Sequence, residues 1–202
     1  AASDVYKRQI IFLSSAGVYG NPRQLPVRES DVAAPMSPYG LHKHMGEELC
    51  EYYNRIHGYH IRSIRIFSAY GNGLRKQLLW DIYQKYQNTG RIELFGTGEE
   101  TRDFIHVSDI MRAIDLILSY DGPEAVINVA NGEEVSIREL AEIYAEKLGA
   151  PQNIVSFNGA VKEGDPRNWR ADISLLRKLG YEKQMELSDG IAAYVDWAKA
   201  QD

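Results

Sequence analysis

The sequence predicts an α/β fold built on a parallel sheet, and three observations carry that prediction. Ile10-Ile11-Phe12-Leu13 is an unbroken apolar run closed by Ser14-Ser15, which suits a strand buried on both faces of a parallel sheet. A long helix follows, signalled at both ends. Ser37 can cap its free amides, Pro38 suits the first turn, where no N–H is needed, and Gly58 can stop it. A second strand over Ile61 to Phe67 completes a strand–helix–strand unit. Both strands run out into polar loops, at the edge where open α/β sheets bind ligands.

Each element has its own signal. Asn21 to Ser37, with Pro22, Pro26, Pro35 and several charges, reads as a surface loop. In the helix after it, Leu41, Met45, Leu49, Tyr52 and Ile56 recur at three- and four-residue spacing and draw an apolar stripe for packing. The loop Ser68-Ala69-Tyr70-Gly71-Asn72-Gly73 leads to a helix through Trp80 to Gln87, a short strand Ile92 to Phe95 and a loop holding Arg102. Ser108 begins a helix to Tyr120, with Ile110, Ile114, Ile117 and Leu118 as its buried side, and Ala125 to Val129 reads as a strand. Ser136 with Glu139 is a capping box, Leu140, Ile143, Tyr144 and Leu148 form the apolar face behind it, and Gly149 stops that helix. Residues 154–157 suggest a strand, and Ile191, Ala192, Val195 and Trp197 mark a terminal helix.

Composition bounds the function. With 202 residues, 44% of them hydrophobic, and a net charge of -5, the chain can bury a real core as a soluble globular protein. No basic patch argues for nucleic acid and no apolar run approaches membrane-spanning length. Cys50 is the only cysteine, read as a packed thiol outside any disulfide or cysteine metal cluster. His42, His44, His57 and His60 lack a partner at ligand spacing, so no metal site is expected. His106, between Ile105 and Val107, reads as a packed or strand-edge residue. Ala1 to Gln9 is polar and has no secretory pattern, which makes the cytoplasm the default location.

The chemistry concentrates around the first helix. Tyr39 and Lys43 are four residues apart and share a helix face, about 200° round from the apolar stripe. They are expected to face a cofactor. A free tyrosine titrates near pH 10, so a tyrosine base at neutrality needs roughly three units, or about 4 kcal/mol. An ammonium about 4 Å away at an effective dielectric of about 20 supplies a term of that size. Ser15 could then share the substrate hydroxyl's proton: serine orients, tyrosine exchanges the proton and lysine holds the phenolate charge.

Five stretches carry a resemblance: Phe12-Leu13-Ser14-Ser15-Ala16-Gly17-Val18-Tyr19-Gly20; Ser37-Pro38-Tyr39-Gly40-Leu41-His42-Lys43; Arg65-Ile66-Phe67-Ser68-Ala69-Tyr70-Gly71; Gly96-Thr97-Gly98; and Thr101-Arg102-Asp103-Phe104-Ile105-His106-Val107. Their order resembles the extended short-chain dehydrogenase/reductase family, in the branch of NAD-dependent nucleotide-sugar epimerases and dehydratases typified by UDP-glucose 4-epimerase. The resemblance implies the C-terminal part of a Rossmann-like parallel sheet plus a smaller α/β substrate-binding lobe. On that reading residues 10–74 are the remaining Rossmann-like half and 75–202 mainly the substrate lobe, some elements returning to the main sheet. Residues 1–9, similar in part to a translated sequencing adapter, are read as a non-native lead. The Gly-x-Gly-x-x-Gly turn that meets the pyrophosphate in this family has no match here, so the chain is expected to lack the N-terminal dinucleotide-binding half.

What the resemblance implies for the site follows residue by residue. Ser15, Tyr39 and Lys43 would be catalytic. Ser14, Tyr39, Lys43 and the backbone of Phe67 would hold NAD, with NADP as the alternative dinucleotide. Ser68, Phe95, Arg102, Lys162 and Arg167 would hold the nucleotide sugar, a UDP-hexose being favoured, with Phe95 stacked on the base and Arg102 on the diphosphate, where a planar fork suits phosphate. The alternative for Arg102 is a surface salt bridge to Asp103. Ala16-Gly17 stands where dehydratases of the family carry Asp-Glu, which disfavours dehydration. The expected reaction is 4-epimerisation; the alternatives are a keto-sugar reductase, or a fragment or binding module without catalysis. The first helix could also serve a homodimer.

Overall fold

The computed structural model describes residues 9–160 and 166–201. In chain order the elements are β1 (Gln9–Ser15), α1 (Pro38–His57), β2 (His60–Ile66), β3 (Ser68–Tyr70), α2 (Gln77–Thr89), β4 (Ile92–Leu94), β5 (Thr101–Arg102), β6 (Phe104–His106) and α3 (Val107–Leu118). They continue with β7 (Val126–Val129), β8 (Val135–Ser136), α4 (Ile137–Leu148), β9 (Val155–Phe157), α5 (Ser174–Lys178) and α6 (Leu187–Lys199).

The expected strand–helix–strand unit is present and sets the ligand edge. β1 pairs with β2 in parallel, Ser15 opposite Ile66, and β2 pairs with β7 in parallel, Ile66 opposite Val129. Three two-stranded ladders accompany this sheet: β3 with β6 and β4 with β9 in parallel, and β5 with β8 antiparallel. Buried apolar residues collect into two cores. One gathers Ile64, Ile105, Ile117, Ile127 and Leu176 around the three-stranded sheet; the other gathers Ile82, Tyr83, Leu140, Tyr144 and Tyr194 between α2, α4 and α6.

The helix ends follow the chemistry of their residues. The Ser37 hydroxyl accepts from the Gly40 N–H at 3.1 Å, and α1 stops at Gly58 in a left-handed conformation. Ser136 accepts from the Glu139 N–H at 3.0 Å, and α4 stops at Gly149. The start of α3 differs from the sequence reading: Ser108 lies inside the helix, and the cap is the ring of His106, which accepts the Ser108 N–H.

Two burial expectations are overturned. β1 is not covered on both faces: Ile10 and Leu13 are exposed, because among the described residues β1 pairs only with β2 and stands at the sheet's edge. The stripe Leu41, Met45, Leu49, Tyr52 and Ile56 is exposed along its whole length. The inward face of α1 is instead polar and small, with Gly40 and Glu47 its buried residues. A Cβ on Gly46 would come within 2.9 Å of the Phe12 ring, so a glycine there lets helix and strand close up.

Candidate functional site

A groove of about 1690 Å³ runs along the carboxyl edge of β1 and β2. At one end it is lined by Ser14, Ser15, Tyr39, Lys43 and Phe67; further along come Ser68, Phe95, Arg102 and Arg167. Every site residue read from the sequence borders this one groove except Lys162, which lies outside the described residues.

The Ser15 end is built by two close backbone contacts. β1 finishes at Ser15, and Ala16–Val18 turns at once into a short 3-10 helix whose first turn Ser15 caps, its Oγ accepting from the Gly17 N–H at 3.1 Å. With that lone pair used, the hydroxyl hydrogen is directed elsewhere. Gly17 then abuts α1: a Cβ on Gly17 would stand 3.4 Å from Ser15 Oγ and 3.6 Å from Tyr39 Cδ1. The hydroxyl of Ser15 and the ring of Tyr39 therefore flank the same bare glycine. Tyr39 is 58% exposed toward the groove it lines.

Lys43, one turn along, donates from Nζ to the Leu13 carbonyl at 2.7 Å. Its ammonium lies 5.6 Å from the Tyr39 ring centroid and 5.4 Å from that of Phe12. Tyrosine, lysine and the end of β1 are thus brought together as the four-residue spacing requires. Ser14 borders the groove but is buried, and its hydroxyl donates to Glu47. Phe67 is buried between Tyr19 and Trp169, and its carbonyl accepts from the Ala69 N–H at 2.8 Å.

At the other end Phe95, just past β4, is 61% exposed, with the Lys85 ammonium 5.6 Å from its ring centroid. Arg102 is only 9% exposed; its Nη1 donates to the Thr101 carbonyl at 2.8 Å and the Arg167 carbonyl at 3.2 Å, and its guanidinium lies 5.5 Å from the Trp169 ring centroid. The surface pair of Arg102 with Asp103 is not formed in this way. Asp103 is fully buried and accepts the backbone N–H groups of Asn131, Gly132 and Ala171. Among the described residues the groove's carboxylates are paired off: Asp81 with Lys85, Glu99 with Arg138, and Glu100 with the N–H groups of Thr97 and Gly98. Burial raises the Glu100 pKa, but the N–H groups of Thr97 and Gly98 and its own bring it below the usual carboxylate value.

Sequence reasoning missed Trp169, whose Nε1 donates to the Gly20 carbonyl at 3.0 Å and whose ring forms part of the wall. A lone tryptophan in a charged loop was the available signal. It also missed Gly17 and Gly40, whose backbones pack directly together. His106 caps α3, its Nδ1 2.7 Å from Ser108 Oγ, and its ring packs edge-on against Tyr70.

The family model described as NAD dependent epimerase/dehydratase matches residues 1–154, most of the chain. The chain belongs to that family. A Methanocaldococcus jannaschii protein provisionally named UDP-glucose 4-epimerase is 33% identical over 202 residues, 95% of this chain and 63% of that protein. An Escherichia coli dTDP-4-dehydro-6-deoxyglucose reductase is 31% identical, over 91% of this chain and 59% of that one. The crystal structure of a Bacillus cereus UDP-glucuronic acid 4-epimerase, in complex with UDP-glucuronic acid and NAD, superposes with a TM-score of 0.87 at 30% identity, over 96% of this chain and 62% of that one. This family member thus spans about six tenths of the length of the relatives it matches. Among its described residues no helix is long and apolar enough to cross a membrane.

Proposed function

We propose that the chain carries the proton-exchanging residues and the substrate lobe of a NAD-dependent nucleotide-sugar 4-epimerase acting on a UDP-hexose. The observation that supports this reading is the shared groove: the Ser15, Tyr39 and Lys43 cluster opens onto the same space as Phe95, Arg102 and Arg167. The B. cereus neighbour, crystallised with UDP-glucuronic acid and NAD, lends weight to both ligands.

The residues present fit the nicotinamide end of the dinucleotide, because Tyr39 and the Lys43 ammonium border the groove beside the carboxyl end of β1. Tyr39, Lys43 and the backbone of Phe67 would hold that end, where the bound dinucleotide would supply reversible hydride transfer at the sugar carbon. Tyr39 takes the proton of the sugar hydroxyl and gives it back to the keto oxygen. Ser15 donates a hydrogen bond to that oxygen, its own lone pair being occupied by Gly17. Lys43 stabilises the negative charge on the phenol oxygen while the proton is away. Phe95 stacks on the base and Arg102 and Arg167 hold the diphosphate, so the sugar is left over the Ser15 end.

The E. coli relative supports a second reading, one-way reduction of a keto-sugar. The two part on cofactor use, since an epimerase keeps its dinucleotide and a reductase consumes one each turnover. The exposed stripe of α1 supports a homodimer through that helix.

The test is turnover by the protein expressed from its whole reading frame, given a UDP-hexose and no added dinucleotide. Appearance of the 4-epimer supports the epimerase, while a requirement for stoichiometric NADH or NADPH with a keto-sugar supports the reductase. Tyr39→Phe should lower turnover by about 10²- to 10⁴-fold with UDP-hexose affinity unchanged; retained turnover removes Tyr39 from the proton exchange.

A further inference from the structure

The helix bearing Tyr39 and Lys43 is not held to the sheet by its apolar residues, which face outward. One side of α1 carries Tyr39, Lys43 and Glu47 at four-residue steps, each rotated by only about 40° from the last, so that the row runs from the groove at Tyr39 and Lys43 to the buried Glu47. Glu47, 6% exposed, makes the strongest link on that face. Arg65 of β2 donates to it from Nε, to Oε1 at 3.0 Å and more weakly to Oε2 at 3.2 Å, and from Nη2 to Oε2 at 2.7 Å, and the Ser14 hydroxyl of β1 donates to Oε1. Arg65 is fixed in turn by the Glu29 carbonyl at 3.1 Å and by the Tyr19 ring, its guanidinium 4.6 Å from the centroid. A second polar link, Asn54 with both backbone groups of Ile61 at 2.8 Å, ties the far end of α1 to β2.

A buried ion pair is an expensive way to hold two elements together, since an apolar pair of the same volume serves stability as well or better. What the pair adds is direction. Its two parallel hydrogen bonds permit one relative position of helix and strand, where an apolar contact tolerates sliding. The strand residue it grips, Ser14, adjoins Ser15.

We propose that Glu47, acting through Ser14 and Arg65, is a positioning residue for the Ser15, Tyr39 and Lys43 cluster: it sets where α1 sits along β1. The inference rests on the proposed function for its effect on turnover, but not for its effect on geometry. A displacement of about 1 Å at reacting atoms costs roughly 10²-fold in rate, so loss of the anchor is read mainly in kcat. Affinity for the nucleotide sugar is set by the other lobe and stays.

Two variants test it. Glu47→Leu with Arg65→Met removes the pair without leaving a buried charge. Ser14→Ala removes one hydrogen bond and keeps the pair, so it folds even if the double variant does not. In crystal structures of either variant, α1 is expected to shift along β1 and the Lys43 ammonium to leave the Leu13 carbonyl. In the protein from the whole reading frame, kcat should fall about 10²-fold in the double variant and about 5-fold in Ser14→Ala, with KM for the UDP-hexose within about 3-fold. An unshifted α1 with Lys43 still on Leu13 in the folded variants overturns the proposal whatever the turnover, as does a parent-like kcat. A parent without turnover on any sugar nucleotide sinks the functional reading alone, and the structures still decide the anchor.

Discussion

Gly40 backs onto the carbonyl group of Gly17: a Cβ on Gly40 would overlap the carbonyl oxygen and lie 3.0 Å from the carbonyl carbon. The first turn of α1 and the turn after β1 are therefore in backbone contact, and the gap between Ser15 and Tyr39 depends on a missing methyl group.

Gly40→Ala should consequently push the start of α1 outward. Gly40 is helical, so alanine gains about 0.5–1 kcal/mol of helix propensity, and folding should survive the change. Turnover should nevertheless fall on the order of 10²-fold, with UDP binding by calorimetry unchanged. Parent-like turnover would show that the contact has slack.

Phe95 and Arg102 should separate the two halves of the nucleotide. Stacking on an aromatic ring is worth about 1–3 kcal/mol per base, so Phe95→Ala should weaken UDP binding roughly tenfold or more and leave inorganic diphosphate unaffected. Arg102→Lys loses a planar donor set and should weaken both. The comparison is read by calorimetry on the protein expressed from its whole reading frame.

His106 predicts an acid-side loss of stability. Burial, with a smaller contribution from Arg112, holds its imidazole below the ordinary value of about 6.5. The folded state thus binds the proton less readily than the unfolded one. Its contribution is present above pH 6.5 and is lost as pH falls through the depressed folded value. Protonation also removes the acceptor that caps α3. The urea midpoint should drop between pH 7.5 and pH 5.5, and His106→Asn, which keeps a capping oxygen, should flatten that dependence.

Asp103→Asn should be costly. Oδ1 takes the Asn131 N–H at 2.9 Å while Oδ2 takes Gly132 and Ala171 at 3.0 Å each. An amide offers one oxygen, so its NH₂ must face N–H donors, and at least one buried donor goes unpaired at about 1–3 kcal/mol. A loss of roughly 2–4 kcal/mol in urea unfolding is expected; a loss under about 1 kcal/mol would mean the loops rearrange.

The α1 stripe supplies the last test. Leu49→Glu on its exposed face should convert a dimer to a monomer by light scattering while leaving the melting temperature of the monomer nearly unchanged. A parent that is monomeric at all concentrations would refute the dimer.

Much of the fold was legible because its signals are local. Ser37, Pro38, Gly58, Ser136 and Gly149 mark helix ends by their own side-chain and backbone chemistry. The pairing of Tyr39 with Lys43 was legible because a four-residue spacing brings two side chains together on any helix. The direction of the apolar stripe was not: periodicity gives a face, but not what lies against it, so Leu49 reads the same inward or outward. The short ladders β3–β6 and β5–β8 escaped notice because two or three residues carry no pattern. Glu47 escaped because a buried carboxylate shows its purpose only once Arg65 arrives from another strand.

Glu47 stands one helical turn from Lys43 and would be its natural counterion, yet both its oxygens are committed to Arg65 and Ser14. Lys43 rests on an uncharged peptide oxygen, the Leu13 carbonyl. A dipole steadies an ammonium without neutralising it, so the Ser15 end of the groove retains a cation that no carboxylate of α1 cancels.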